Sequence, residues 1–233
     1  MANVFDWLNN IIWSPALVFL CLAAGVYFTL TTKFLQIRGL PDMLKQLRHG
    51  EKSENGVSSF QSLMMSLAGR VGVGNIAGVA TAIAFGGPGA VFWMWAVALL
   101  GSATSFIECT LAQIYKEQDQ DTREYRGGPA YYIEKAYAHT KAAPFMLVYG
   151  CVFAVAMILA TAYFLPGVQA NGVSSAIDNA WGISPLYTGI GIAVLLGIII
   201  IGGVKRIANF ATLVVPFMAV IYIIFALIIL FAN

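Results

Sequence analysis

The sequence predicts an all-α protein threaded several times through a membrane, and three observations predict it. Composition is the first: 59% of the 233 residues are hydrophobic and 10% are charged. The mean hydropathy of +0.78 lies outside the range of a soluble domain. Second, six windows carry almost no charge, residues 12–32, 60–85, 90–115, 144–166, 183–203 and 208–231. Each reaches the roughly 20 residues that a helix needs to cross hydrocarbon. Third, every Lys and Arg except Arg70 falls in three alternate connections.

Lys33, Arg38, Lys45, Arg48 and Lys52 follow the first window, and Lys116, Arg123, Arg126, Lys135 and Lys141 follow the third. Lys205 and Arg206 follow the fifth, whereas the N-terminus, residues 86–89 and residues 167–182 carry none. Basic loops face the cytoplasm, which places the N-terminus and the end of the sixth span outside. The expectation is one multi-pass transmembrane domain, residues 1–233, in the plasma (inner) membrane. The first window lacks a basic lead and is too long for a signal peptide. A net charge of +2 gives no reason to expect a nucleic-acid partner; the lipid bilayer is the expected one. Cys21, Cys109 and Cys151 lie inside windows and read as small apolar residues rather than a disulfide framework.

Between the windows, Asn3 to Asn10 reads as an interfacial lead-in, and the polar loop 33–59 as holding a short amphipathic helix near residues 41–47. Phe85-Gly86-Gly87-Pro88-Gly89 is a tight outer turn. Pro129 suits the first position of a helix running to Tyr137 along the inner face. Pro166-Gly167 is expected to close the fourth span before an outer loop, and Pro216 to kink the sixth.

The second window is unlike the others. Gly69-Arg70-Val71-Gly72-Val73-Gly74-Asn75-Ile76-Ala77-Gly78 puts four glycines in ten positions between two apolar runs, and each glycine weakens a helix by about 1 kcal/mol. Three readings compete. Residues 72–77 formally match a dinucleotide fingerprint, but that motif needs a strand and a soluble βαβ unit. Gly74 and Gly78 form a G-x-x-x-G, which lets helices pack closely. Alternatively the helix breaks outright at mid-membrane, which is tolerated where protein, water or a ligand satisfies the freed groups. A break would offer free N–H groups at the start of one half-helix for a carboxylate, and free carbonyls at the end of the other for a hard cation such as Na⁺. Asn75 can add a side-chain oxygen to that cation.

Two ionisable residues sit within windows, Arg70 and Glu108, and each reads as a coupling or a structural group. His49 and His139 lack metal-ligand spacing, and neither H-E-x-x-H nor G-x-S-x-G occurs, so no enzyme is expected. The rival to a transporter is a pore or structural membrane protein, using the glycines for packing and Arg70 with Glu108 as a buried pair.

Gly72-Val73-Gly74-Asn75-Ile76-Ala77-Gly78-Val79-Ala80, the Gly86-Gly87-Pro88-Gly89 turn, Arg126-Gly127-Gly128-Pro129-Ala130-Tyr131-Tyr132-Ile133 and Ile201-Gly202-Gly203-Val204-Lys205-Arg206-Ile207-Ala208 resemble the alanine or glycine:cation symporter family. The resemblance covers essentially the whole chain. It implies sodium-coupled uptake of alanine or glycine on a leucine-transporter-like fold, with Na⁺ as coupling ion and no cofactor. One peripheral helix would precede one five-helix repeat, making the second span the broken core helix. The resemblance implies substrate contacts from Gly72, Val73, Gly74, Gln169 and Asn171. It implies cation contacts from carbonyls of Ala68, Arg70 and Val71 with the Asn75 side chain. Gln169 and Asn171 read equally as loop residues. Two departures stand out. Arg70 occupies a place where some relatives carry a small hydroxyl residue, which bears on the number of sodium sites. The family is also about twice this length, so the chain is expected to be a fragment, inactive alone, or to take its second half from another chain.

Overall fold

Stretches bounded by glycine, proline and charge become helices almost without interruption. The computed structural model describes residues 2–49, 57–121 and 123–232; Lys52 of the first basic cluster lies outside them. In chain order these are α1 (Ala2–Ile12), α2 (Pro15–Thr31), α3 (Leu35–Arg38), α4 (Leu40–His49), α5 (Ser59–Arg70), α6 (Val73–Gly86) and α7 (Gly89–Ile114). A two-stranded hairpin, β1 (Glu117–Gln118) with β2 (Tyr125–Arg126), leads to α8 (Pro129–Ala136) and α9 (Ala143–Leu159). A π-helical turn, Ala160–Phe164, joins α9 to α10 (Leu165–Trp181), and α11 (Pro185–Ile200) and α12 (Gly203–Ala232) follow.

Prolines start α2, α8 and α11, where a missing N–H is harmless because the first turn has no acceptor for it. The amphipathic helix expected in the first basic loop is α4. Four helical stretches are long and apolar enough to cross a membrane: Asn9–Thr31, Gly89–Ile114, Ala143–Trp181 and Gly203–Ala232. The α5–α6 pair makes a fifth if taken as one bent span, and α11 is apolar but only 16 residues long.

The fourth span differs from its expected boundary. Helix continues past Pro166 to Trp181, so residues 167–181 are helical rather than an outer loop. Pro166 falls in the first turn of α10 directly after the π-helical turn. Its missing N–H therefore coincides with a ladder already out of α register. At about 1.5 Å per residue, the 39-residue stretch is nearly twice the hydrocarbon thickness. Pro216 lies inside α12, a 30-residue helix that continues on both sides of it.

The contacts form two units. The first comprises residues 1–44, 85–119 and 125–153. Here α7 packs against α2, α3 and α8. Gly25 lets α2 approach closely, since a Cβ there would lie 2.9 Å from Leu100 Cβ and 3.2 Å from its carbonyl oxygen. After α7, the hairpin pairs Glu117 with Arg126 and Gln118 with Tyr125. Arg126 bridges to Asp119, and Lys135 Nζ lies 2.6 Å from Glu117 Oε1 and donates to the Tyr115 carbonyl at 3.0 Å. Gly128 caps α8 at φ 111°, a backbone geometry that side chains resist. The Arg126-Gly127-Gly128-Pro129 motif thus builds a hairpin exit and a helix start.

Glu108 on α7 acts on this connection. Burial, then the Glu108 charge, then Tyr149 raise the Tyr132 phenol pKa above its ordinary value.

The second unit comprises residues 45–84, 120–124 and 154–233. In it α5 packs on α12 around Met64, Ala211 and Val215, with Leu63, Met65, Leu67 and Met218 alongside. Gln61 links the two helices, its Nε2 donating to Asn209 Oδ1 at 2.8 Å while its Oε1 accepts from the Ser58 N–H in a capping box. α10 packs on α11, and α11 on α12. Large apolar side chains such as Ile201 and Leu213 point outward, 86% and 77% exposed. Helices surrounded by lipid tails have no need to bury them.

Two predictions follow from the first unit. Gly25→Val should force α2 from Leu100 and lower thermal stability in detergent by an amount equivalent to about 1–3 kcal/mol. Tyr132 binds its proton more tightly folded than unfolded, so its contribution to stability is present below about pH 10 and lost as pH rises beyond it. Tyr132→Phe should flatten that alkaline decline in melts recorded between about pH 9 and pH 11.

Candidate functional site

The glycine-rich segment is interrupted, over a shorter stretch than its glycines suggest. α5 runs to Arg70, Val71 is extended at φ −106° and ψ 98°, and α6 restarts at Val73, with a 43° bend across the gap. Gly69 lies inside α5, and Gly74 and Asn75 inside the first turn of α6. Val71 and Gly72 form the break itself.

Each end exposes what helix ends must. The first N–H groups of α6 have no partner within their own helix. Asn75 and Ile76 direct theirs to the Gly72 carbonyl at 3.0 and 3.1 Å. Val73 donates to Gln169 Oε1 at 2.9 Å. Gly74, between them, supplies a further first-turn N–H at the positive end of the α6 dipole. On the other side the Leu67 carbonyl accepts from the Val71 N–H at 2.9 Å. The carbonyls after it, from Ala68 to Arg70, form the negative end of α5.

Gln169 reaches the break because two glycines permit it. A Cβ on Gly72 would lie 3.0 Å from both terminal atoms of the Gln169 amide. A Cβ on Gly172 would lie 2.6 and 2.7 Å from the Val73 methyl carbons. Gln169 and Gly172 are three apart on α10 and therefore share a face, and that face lies against Gly72 and Val73. Asn171 points about 200° around the helix from Gln169 and is not part of this contact. Gly172 was not singled out from the sequence. Its signal was the i, i+3 spacing from Gln169, which is meaningful only once residues 167–181 are known to be helical.

Arg70 turns back along α5, its Nη1 donating to the Ser66 carbonyl at 3.2 Å. Glu108 belongs to the other unit, beside Tyr132 and Tyr149. The Asn75 side chain is exposed at the start of α6. Among the described residues no three His, Cys, Asp or Glu side chains converge; the break itself offers backbone carbonyls and the amide oxygens of Asn75 and Gln169. A hard monovalent cation accepts such neutral oxygens, and a carboxylate accepts the α6 N–H groups.

Known proteins match the chain along almost its whole length. A putative sodium/proton-dependent alanine carrier protein of Bacillus subtilis is 53% identical over 233 residues, 100% of this chain and 46% of the carrier. A probable sodium/glutamine symporter of the same organism is 47% identical over 97% of this chain and 46% of its own length. A sodium/alanine symporter of Methanococcus maripaludis is 41% identical over 99% of this chain and 51% of its own length. The chain thus spans about half the length of these relatives. The sodium:alanine symporter family matches residues 1–233; the chain belongs to that family, whose members are transporters and not enzymes.

Proposed function

We propose that this chain carries the broken-helix half of a sodium-coupled amino-acid symporter that works by alternating access. The observation that carries the reading is the interruption at Val71–Gly72 inside an apolar helix pair, in a chain of the sodium:alanine symporter family. The fold proposed is leucine-transporter-like, with six spans: one peripheral, then a five-helix repeat whose first member is α5–α6. Positive-inside placement favours an outer N-terminus and cytoplasmic basic loops in the plasma membrane.

In this reading the N–H groups of Val73 and Gly74 hold the substrate carboxylate, and Gly72 keeps the approach open. Carbonyls of Ala68, Arg70 and Val71, with the Asn75 side-chain oxygen, hold Na⁺. Gln169 lies beside the carboxylate position; Asn171, on another face of α10, is the weaker candidate. The substrate proposed is a small neutral amino acid, alanine or glycine. A relative named for glutamine fits a break that grips only the part common to all amino acids.

The test uses the full-length protein in proteoliposomes. Labelled alanine should accumulate above equilibrium with an inward Na⁺ gradient and not without one; gradient-independent equilibration would identify a pore. Gly74→Val and Asn75→Asp should each reduce uptake by at least about tenfold, equivalent to about 1.4 kcal/mol, while the protein stays in the membrane. Gly172→Ala, which collides with Val73, should do the same. Undiminished uptake in all three would refute this site.

A further inference from the structure

We propose that the Gln169 amide is a built-in stand-in for the substrate carboxylate, seated on the Val73 N–H when no substrate is bound and exchanged for a carboxylate when one enters. This deepens the carboxylate reading above and rests on it. Three observations carry it. Gln169 Oε1 lies 2.9 Å from the Val73 nitrogen, the group assigned to the carboxylate. Both terminal atoms of the amide lie 3.0 Å from where a Gly72 Cβ would stand, so the amide lies along the break itself. The close approach of Gly172 to Val73 holds α10 at this distance.

The chemistry makes the exchange selective. An amide oxygen is a neutral acceptor with the reach of one carboxylate oxygen. An anionic oxygen makes the stronger bond, most of all at the positive end of a helix. A carboxylate therefore gains by displacing Gln169, whereas an amide or hydroxyl trades like for like. The side chain also keeps the Val73 N–H partnered when the site returns without cargo, which matters where water is scarce. Gln169 in this sense sets a threshold: it adds one displacement cost to every occupant, which an anionic oxygen repays and a neutral oxygen does not.

Hydrogen–deuterium exchange on the full-length protein in nanodiscs tests the exchange, read on a peptide covering residues 71–76. Without alanine, Gln169→Met should speed exchange there by at least about tenfold, with peptides from α2 unchanged as evidence of an intact fold. Saturating alanine should bring variant and wild type to the same slow rate. Alanine and alaninamide should both bind Gln169→Met more tightly, and by the same factor, because the displacement cost they share is gone. Gln169→Glu, which seats a carboxylate there permanently, should keep the segment slow without substrate and weaken alanine binding by about 30-fold or more. Equal exchange in wild type and Gln169→Met without alanine would overturn the proposal, as would full alanine affinity in Gln169→Glu. If Gln169→Met loosens the segment but alanine fails to protect it, the carboxylate assignment falls, a result distinct from a missing Gln169 bond.

Discussion

A peptide group in hydrocarbon must have a hydrogen-bond partner, and the organisation around the broken helix follows from that constraint. A continuous helix satisfies its own backbone; one interrupted at Val71–Gly72 does not. The Val73 N–H takes Gln169, the N–H groups of Asn75 and Ile76 share the Gly72 carbonyl, and the Val71 N–H closes on Leu67. A break whose Val71, Val73, Asn75 and Ile76 N–H groups all find partners is built into the chain rather than a local defect.

The two half-helices are also held by different partners. α5 rests on α12 through the Met64, Ala211 and Val215 cluster and the Gln61–Asn209 hydrogen bond. The start of α6 meets α10 through Gln169 and Gly172. The first contact is apolar packing with one polar tie. The second is one amide on one N–H, beside the Val73 methyls that pack on Gly172. Between helices in lipid, packing and hydrogen bonds rather than exclusion of water hold such contacts, and α5 has the more extensive packing, along α12.

Much of this was legible in the sequence, and the limits have physical causes. Hydropathy found the apolar segments because a lipid-facing helix carries no polar face to confuse the pattern, and Pro129 announced α8 by its place after Gly128. The glycine cluster announced a break, yet glycine weakens a helix without saying where it opens. Gly69 and Gly74 stayed helical, and the gap fell at the one glycine facing the Gln169 amide. The fourth apolar segment was misread at its C-terminal end because Pro166-Gly167 looks like a terminator. A π-helical turn, which no local propensity reveals, carried the helix past it. That misreading hid the i, i+3 relation of Gln169 to Gly172, and with it the reason α10 touches the break.

The neutrality of Asn75 bears on how solute and ion could be coupled. If an amino-acid carboxylate and Na⁺ share the break as proposed, about 4 Å apart, their attraction at an effective dielectric near 20 is about 4 kcal/mol before desolvation is subtracted. Couplings between bound ligands commonly net about 1–3 kcal/mol, equal in both directions. That attraction yields coupling only if the cation depends on the substrate for its negative charge. A fixed carboxylate at position 75 would supply the charge in every state, and the cation would bind whether or not the amino acid was present. An amide supplies an oxygen but no net charge. In the proposed arrangement it would hold Na⁺ weakly alone and well beside a substrate carboxylate, so that the solute would complete the ion site.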